Sequence, residues 1–460
     1  VHARAFILLS LGFWAKATDR ANCSVAIVGA GPGGVYTAWR LAMNGTVDPS
    51  SICVVERLNR VGGRILSLRD QGPQKDLVID LGAYRFPEKP MDEFGMFLWA
   101  PLTSHLVEKK LKLPTKLYEP GKESSTMRKI VDAEGQNAGY ASFVEAMANE
   151  SSSLGVRFLF DTEAVSLGAP HDSAWSDDQL VAVRLADGEL IWAKSVVLNL
   201  PMRPLTSLLF RSDPNLFPNG YPEVLAEVRV IQSIKLYVHY DDAWWFNYLN
   251  LTFGNFNAPG KGPKVPPLQG RYHDGHVRFD ESTGTWRGFL EAVYESSDEI
   301  YDYYSAFQSS KTEPYVVLTG DDPTANYLLQ AVHRSLVRKH SMQLRKARVY
   351  QKVEQSPPTL AVMSAWGPDS IGFGGGIHYT MPFVKRDNLP ADALQPLGNL
   401  PVFVTNEAYG ALRGKDGSAS GGHGWAECSL VMAENIVTKK FGAPPPGWIE
   451  EDVYKKYIEL

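Results

Sequence analysis

Three spaced glycines offer the first chemistry in this chain. Gly29-x-Gly31-x-x-Gly34 lies between the apolar run Val25–Val28 and a helical pattern over Val35–Ala42. In this spacing the first glycine allows a tight turn, the second lets the backbone approach a pyrophosphate, and the third lets helix and strand pack closely. The positive end of the helix would face the phosphates. The motif predicts a dinucleotide site.

An acid follows at the place where such a site uses one. The next apolar run, Ile52–Val55, ends at Glu56, 22 residues past Gly34. A carboxylate there can accept hydrogen bonds from both ribose hydroxyls and argues against a 2'-phosphate, hence against NADP. Strand, turn, helix, strand and acid together predict the first βαβ unit of a Rossmann-like domain.

The segment directly after this unit carries two arginines and two glycines, Arg60-Val61-Gly62-Gly63-Arg64. A nicotinamide dehydrogenase does not need this group, whereas a flavin dinucleotide, which runs on toward a second domain, does. At this point the chain resembles the flavin-dependent amine oxidase superfamily. The resemblance implies FAD as cofactor, with Arg57, Arg60, Gly63 and Arg64 among its contacts. The alternative for the arginines is a solvated surface pair.

A further motif, Asp80-Leu81-Gly82-Ala83-Tyr84-Arg85-Phe86-Pro87-Glu88-Lys89, resembles the L-amino-acid oxidase branch. The family places such a loop under the flavin ring, which implies cofactor contacts at Gly82, Ala83, Tyr84 and Arg85. In that branch the arginine also binds the substrate carboxylate. A guanidinium suits this role, because its planar fork holds a carboxylate in one orientation. The alternative is an Arg85 salt bridge to a neighbouring acid.

Two later segments resemble the family's flavin-facing strands. Lys235, in Ile234–Tyr237, corresponds to a lysine that is bound through water to flavin N5, unless it lies on the exposed face of a strand. Trp366 resembles the tryptophan beside the dimethylbenzene ring. Monoamine oxidases carry a flavin-linked cysteine in the glycine run that follows, and this chain has Ile377 there. We therefore expect non-covalent FAD.

The carboxyl-terminal motifs resemble the last flavin-binding elements of the family. Glu407 follows the strand Pro401–Thr405, with Asn406 in place of the usual glycine, and is expected near the ribityl chain or phosphate. His423-Gly424-Trp425 opens a helix. The resemblance makes Trp425 a wall of the substrate cage and Gly424 an acceptor for the substrate amine. A tryptophan at a helix start is otherwise core packing.

Two more regions, a helix start and a strand, are implied to contact the cofactor. Gly424, Trp425 and Ala426 would place the positive end of their helix at the flavin, where it stabilises negative charge on the reduced ring. Val165 would be a backbone contact on a strand, Val156–Val165, that passes the adenine.

The elements that must position these residues predict a two-domain α/β flavoprotein, with a Rossmann-like FAD-binding domain and a substrate domain built on a mixed sheet. Ser195–Leu200 and Pro401–Thr405 read as buried strands, and Trp425–Lys440 reads as a helix. The expected division is a leader at 1–23, an FAD-binding domain at 24–64, 141–230 and 398–442, a substrate domain at 65–140 and 231–397, and a tail at 443–460.

Composition limits the function classes. The 460 residues carry a net charge of -5 at pH 7, so the basic surface of a nucleic-acid binder is missing in bulk. No run reaches the roughly 18 to 20 apolar residues of a membrane span. The three cysteines form no CxxC pair, which argues against a disulfide scaffold and against a structural zinc or other metal site. We expect Cys53 to be a buried filler. A homodimer is left open.

The amino terminus resembles a targeting segment. Arg4 precedes the apolar run Ala5–Ala15, and Ala15-Lys16-Ala17 fits a small-x-small cleavage site. We expect a signal peptide and a secreted or luminal protein. A short buried helix or an organelle-targeting piece is the alternative.

The resemblance thins in the middle of the chain. Only about 55 residues separate Arg85 from Tyr140, so the helical insert of the better-known amino-acid oxidases is missing. The stretch Phe253–Phe307 is instead extra, and we expect it to supply a lid. Glycines and prolines are concentrated between Phe253 and Gly288, which indicates an elaborate loop there. The second aromatic wall of the substrate cage cannot be assigned from the sequence.

The hypothesis is oxidative deamination of an L-amino acid by FAD and O2, which yields a 2-oxo acid, ammonia and hydrogen peroxide. Arg85, Trp425 and Lys235 would carry the chemistry. One alternative is an oxidase of polyamines or other amines, or a flavin desaturase, whose substrates lack a carboxylate. The other is a catalytically idle FAD-binding subunit with a structural role.

Overall fold

The computed structural model describes residues 19–93, 96–119, 125–168, 180–259, 266–273, 276–310, 312–367, 374–381, 389–398, 400–418 and 423–460. The expected leader run, Ala5–Ala15, lies outside these residues. Within them, no helix combines the length and the apolar character that crossing a bilayer requires.

The strands and helices are numbered in chain order. Strands β1 to β23 are Asp19–Val28, Ile52–Val55, Ser67–Gln71, Leu77–Asp80, Phe86–Pro87, Met91–Glu93, Met96–Leu98, Thr115–Leu117, Met127–Ile130, Arg157–Leu159, Ala164–Gly168, Val181–Leu185, Leu190–Leu198, Val228–Ile231, Ser233–Tyr240, Phe253–Ala258, Leu268–His273, Val277–Asp280, Thr285–Glu295, Tyr315–Thr319, Leu360–Trp366, Ile377–Thr380 and Val402–Val404. Helices α1 to α12 are Pro32–Met43, Pro101–His105, Ser142–Leu154, Met202–Phe210, Trp244–Asn247, Asp298–Ser305, Pro323–Lys339, Ser341–Lys346, Tyr350–Glu354, Leu389–Ala393, Ala426–Phe441 and Glu451–Tyr457.

The first sheet is Rossmann-like and has the strand order β10-β2-β1-β13-β12-β11, with β23 beside the end of β13. Strands β10, β2, β1, β13 and β23 pair in parallel, whereas β11 and β12 are antiparallel. Val28 is in register with both Val55 and Leu198, and Leu198 is in register with Val404. The carboxyl ends of these strands therefore meet at one edge, which is where open α/β sheets bind ligands.

Helices from distant parts of the chain close this sheet. The Arg40 guanidinium on α1 forms a buried ion pair with Glu434 on α11, at 2.9 Å, and the Tyr36 hydroxyl donates to the same carboxylate at 2.8 Å. A buried charge needs such partners to offset its desolvation. The carboxyl-terminal end of the chain thus completes the amino-terminal domain, as the late strand and helix signals indicate.

The expected tail at 443–460 is packed rather than loose. Ile449, Tyr454 and Ile458 are buried in the core of the first sheet. The Asn435 side chain on α11 donates to the Ile458 carbonyl at 2.7 Å and accepts from the Leu460 amide at 2.9 Å.

The second sheet is antiparallel, in the order β16-β17-β19-β15-β21-β20, with β18 beside β19. It has its own core, to which α7 contributes. The expectation of an elaborate loop between Phe253 and Gly288 is wrong, since the described part of this stretch forms β16, β17, β18 and the start of β19. Its glycines and prolines interrupt an alternation of buried and exposed residues that is typical of strands, as at Asn255 and Phe256.

The structure differs from three local expectations in the first sheet. Strand β1 begins at Asp19, inside the expected leader. Cys53 is no mere filler, because it forms a disulfide with Cys23 on the neighbouring parallel strand, where the Cα atoms lie 6.1 Å apart. The segment Val156–Val165 forms two short strands, β10 and β11, instead of one.

Candidate active site

A cleft of about 480 Å³ runs from the carboxyl edge of the first sheet to the second sheet. Its near end is the turn after β1. Gly29 has φ +99°, and a Cβ there would lie 2.5 Å from the Asn199 carbonyl oxygen, while a Cβ on Gly31 would lie 2.7 Å from Asn199 Nδ2. Only glycine lets these backbones approach so closely. The first turn of α1 thereby presents its free N–H groups to the cleft.

Glu56 lies beside this turn at the end of β2. Its carboxylate oxygens accept from the Ala30 amide at 2.8 Å and from the Leu58 amide at 2.9 Å, and burial raises its pKa. A carboxylate has about four lone-pair sites, so acceptor capacity remains for a ligand's hydroxyls. Arg57 and Val165 line the same end of the cleft.

The middle of the cleft is held by an ion-pair network. Arg64 Nη1 lies 2.5 Å from Glu407, and His378 Nδ1 lies 2.6 Å from the same carboxylate oxygen. Burial raises the pKa of Glu407, but Arg64 and His378 outweigh it and hold this pKa well below its usual range. Asn406, where the family has a glycine, accepts from Arg64 Nη2 at 3.2 Å. This unusual asparagine thus steadies the arginine.

A short loop at 81–83 forms the floor between the two sheets. The Leu81 carbonyl accepts from Trp366 Nε1 at 2.7 Å, and Lys235 Nζ donates to the Gly82 carbonyl at 2.7 Å. A Cβ on Gly82 would lie 1.8 Å from the Arg64 carbonyl oxygen, so this position has room for glycine only. Strands β15 and β21 therefore fix the loop against the arginine turn.

Lys235 is buried and electrostatically coupled. Its Nζ lies 3.7 Å from Glu291 on β19, whose other oxygen lies 2.7 Å from His273 Nε2. Burial lowers the pKa of Lys235 to about 8, with Glu291 opposing that shift. Burial raises the pKa of Glu291, but Lys235 and His273 reverse this and lower it to about 2. The lysine thus loses its proton at lower pH than a free lysine but is still mostly protonated at neutral pH.

The far end of the cleft has aromatic walls. Trp425 and Tyr294 both line it, and both pack against the apolar cluster that contains Tyr84 and Tyr118. Lys235 Nζ lies 4.1 Å from the Tyr84 ring centre and 4.8 Å from that of Tyr294. These rings are placed to hold an organic substrate and a cation.

Tyr294 is the wall that the sequence did not reveal. It lies directly opposite Lys235 in the antiparallel pairing of β15 and β19. A cross-strand partner of a candidate lysine is a detectable signal only once the register is known.

Helix α11 begins at the cleft. Gly424 has φ +81°, its amide donates to Glu407 at 3.2 Å, and a Cβ there would lie 2.7 Å from Ile377 Cγ2. The positive end of the helix therefore faces the cleft beside Trp425.

The structure brings most predicted cofactor contacts together. The described lining includes Gly29, Gly31, Glu56, Arg57, Gly63, Arg64, Gly82, Ala83, Val165, Lys235, Trp366, Glu407, Gly424, Trp425 and Ala426. It also includes residues that were not predicted: Asn199, Arg203 and Tyr294.

Four predicted contacts lie outside that lining: Gly34, Arg60, Tyr84 and Arg85. Gly34 packs the helix on the turn, because a Cβ there would lie 2.1 Å from the Gly29 carbonyl oxygen. Arg60 instead lines a smaller separate cavity, and its Nη1 donates to the Gly63 carbonyl at 2.9 Å. It supports the glycine turn from behind. Tyr84 and Arg85 belong to the aromatic end.

Comparison with known families agrees with this geometry. Residues 27–97 match the NAD(P)-binding Rossmann-like domain, and residues 88–408 match the flavin containing amine oxidoreductase family. The chain belongs to this family. As a flavin containing amine oxidoreductase it uses FAD, which the glycine cradle, the helix ends and the cleft fit. The described lining contains no cysteine, consistent with non-covalent FAD.

Solved structures similar to this amine oxidoreductase include putrescine oxidase. The wild type bound to putrescine has 14% sequence identity and a TM-score of 0.57, over 91% of this chain and 99% of that one. A triple mutant has 15% identity and a TM-score of 0.55, over 92% and 100%. At this identity the likeness shows the fold alone. No curated protein matches the chain in sequence.

Proposed function

We propose that the protein oxidises the α-amino group of L-amino acids. The observation that carries this proposal is Arg85 at the aromatic end of the site. Its guanidinium lies 5.0 Å from the Tyr118 ring centre and 5.4 Å from that of Tyr84, and its charge acts on both Lys235 and Tyr294. A planar guanidinium held against aromatic rings is suited to bind a carboxylate in one orientation.

Each residue around the substrate then has a separate role in this proposal. Arg85 binds the carboxylate, Tyr294 and Trp425 enclose the side chain, and the Gly424 carbonyl accepts from the amine. The glycine turn, Glu56 and Arg64 would hold FAD, which would supply a two-electron acceptor for the Cα hydride and a route for those electrons to O2, giving hydrogen peroxide. The imino acid product takes up water and yields a 2-oxo acid and ammonia. Lys235 places a cation where negative charge develops.

An amine without a carboxylate is the second candidate. The putrescine oxidase structures support an amine substrate in general, and putrescine, a diamine without a carboxylate, fits this alternative better than an amino acid does. Glu291 is the acid that could attract a diamine, but His273 and Lys235 already adjoin its oxygens. Arg85, Arg271 and Lys235 would repel a dication.

The test is an anaerobic mix of the yellow holoprotein with L-amino acids, D-amino acids and polyamines, followed by re-aeration. The proposal expects bleaching by L-amino acids and peroxide on re-aeration. For Arg85→Ala it expects kcat/KM for amino acids to fall about 100-fold or more, because a charged hydrogen-bond pair is lost. The matched control Arg69→Ala removes an exposed arginine that pairs with Glu145 and should behave like wild type.

Two outcomes would contradict the proposal. Bleaching by polyamines, with KM unchanged in the Arg85 variant, selects the second candidate. A flavin that dithionite bleaches but no substrate does selects the idle subunit. Activity should also rise toward alkaline pH with the pKa of the substrate amine, since no protein base is assigned to remove the amine's proton.

We also propose that the protein matures in an oxidising compartment, secreted or luminal. The Cys23–Cys53 disulfide supports this, because disulfides persist in such compartments and are rare in the cytosol.

A further inference from the structure

A second arginine stands at the aromatic end of the site. Arg271 lies on β17, directly opposite Glu291 in the pairing with β19. Its guanidinium carbon lies 4.8 Å from the Tyr294 ring centre, the same distance as Lys235 Nζ. Tyr294 lines the cleft, so Arg271 is one aromatic ring away from the place where the substrate is held.

The guanidinium of Arg271 has donors to spare. Within the described part of the chain it makes no side-chain hydrogen bond or ion pair. Glu291 is the carboxylate whose charge acts on it, yet the Glu291 oxygens adjoin Lys235 and His273 instead. A guanidinium offers five N–H donors and strongly favours a carboxylate acceptor.

Arg85 and Arg271 lie against neighbouring aromatic rings. Arg85 lies beside Tyr84 and Tyr118, and Tyr84 lies 6.0 Å from Tyr294 between ring centres. The charges of both Arg85 and Arg271 act on Lys235. Each of these charges lowers the pKa of Lys235, and the two carboxylates of a bound dianion would offset them.

We propose that the preferred substrate is an amino acid with an acidic side chain, whose second carboxylate binds Arg271 while Arg85 holds the first. This inference rests on the proposed function, and it makes Arg271 a specificity residue. Glutamate and aspartate would be oxidised in preference to their amides, which have the same shape without the charge.

The experiment compares kcat/KM for L-glutamate, L-glutamine, L-aspartate and L-asparagine in the wild-type holoenzyme and in Arg271→Gln. Wild type should prefer each acid over its amide. The variant should lose about 10- to 100-fold for the acids and little for the amides, because one charge-assisted contact is removed. Arg271→Lys should recover part of the loss. The matched control is Arg278→Gln, which removes an arginine on the next strand, β18, that pairs with Asp132.

A binding measurement separates this inference from the proposed function. Glutarate should perturb the flavin spectrum at lower concentration than butyrate, and the difference should vanish in Arg271→Gln. Equal losses for acids and amides, or equal binding of both ligands, overturn the inference. If amines but not amino acids are oxidised, the proposed function fails, while the glutarate result still decides whether Arg271 binds a second carboxylate.

Discussion

Lys235 and Glu291 form an unusual pair for the floor of a cleft, because both are almost fully buried. The pKa of Lys235 moves in the direction that burial dictates, whereas the pKa of Glu291 falls against the effect of its burial. Burial lowers the pKa of Lys235 to about 8 and would lower it further without Glu291, which lies 3.7 Å away. The carboxylate therefore keeps the lysine charged at neutral pH, where, under the proposed function, a cation would help electrons reach O2.

Replacing Glu291 by glutamine should shift the titration of Lys235 to lower pH. The Lys235 pKa should fall below 8 by about one unit or more, because the opposing charge is removed and the desolvation remains. Rapid mixing of the reduced enzyme with O2 measures it: the rate should decline with rising pH near 8 in wild type and at lower pH in Glu291→Gln. The exposed Glu299→Gln on α6 is the control. Identical profiles in both enzymes would refute the coupling.

At the scale of elements, Glu427 joins two helices next to the cleft. It lies in the first turn of α11, and its carboxylate accepts from the Leu102 and Thr103 amides of α2 at 2.9 and 2.7 Å. It thus satisfies the free N–H groups of the α2 start. Burial raises its pKa to about 7, although the hydrogen bonds from Thr103 and Leu102 act in the opposite direction.

The buried Glu427 carboxyl between α2 and α11 should make the free energy of unfolding depend on pH. The Glu427 carboxyl binds a proton more tightly when folded than when unfolded, so its contribution is complete below pH 4.5 and is lost as pH rises through about 7. The loss should be up to about 3 kcal/mol. Glu427→Gln should remove that part of the pH dependence, as measured by urea unfolding from acid to neutral pH. Glu145→Gln is the exposed control, and a wild-type slope in Glu427→Gln would contradict the assignment.

At the scale of the whole molecule, the site depends on two sheets that each have a separate core. The first sheet supplies the glycine turn and Glu56, and the second supplies Lys235 and Tyr294. A third apolar cluster, which includes Leu81 and Trp366, packs β4 against the second sheet under the cleft. Because the site spans both sheets, anything that loosens the first sheet should weaken the binding of FAD.

Removing the Cys23–Cys53 disulfide tests whether FAD binding depends on the stability of the first sheet. Cys23→Ser should destabilise the first sheet by about 2–4 kcal/mol, since the bond closes a loop with a sequence separation of 30. FAD release on urea titration should begin at lower urea in the variant. Thiol titration of the unfolded wild-type protein should find Cys428 alone, and three thiols would contradict the pairing. Cys428→Ser leaves the disulfide intact and is the control.

The sequence by itself determined the features that local spacing encodes. Gly29, Gly31 and Glu56 are recognisable because a tight turn and an acid after a strand need particular residue types at fixed intervals. Lys235, Glu407 and Trp425 could be predicted as cleft residues because each stands in a short motif at the end or middle of a recognisable element. The Rossmann-like sheet and its completion by the carboxyl-terminal end follow from the same local patterns.

The tertiary structure alone decided which residues meet across strands and between sheets. Tyr294, Arg271 and Glu291 gather around Lys235 through the register of β15, β17 and β19, and no local spacing specifies that register. The Cys23–Cys53 bond likewise depends on β1 and β2 being parallel neighbours. Turns and helix starts are short-range in the chain, whereas the charges that set specificity and pKa act through space between residues far apart in sequence.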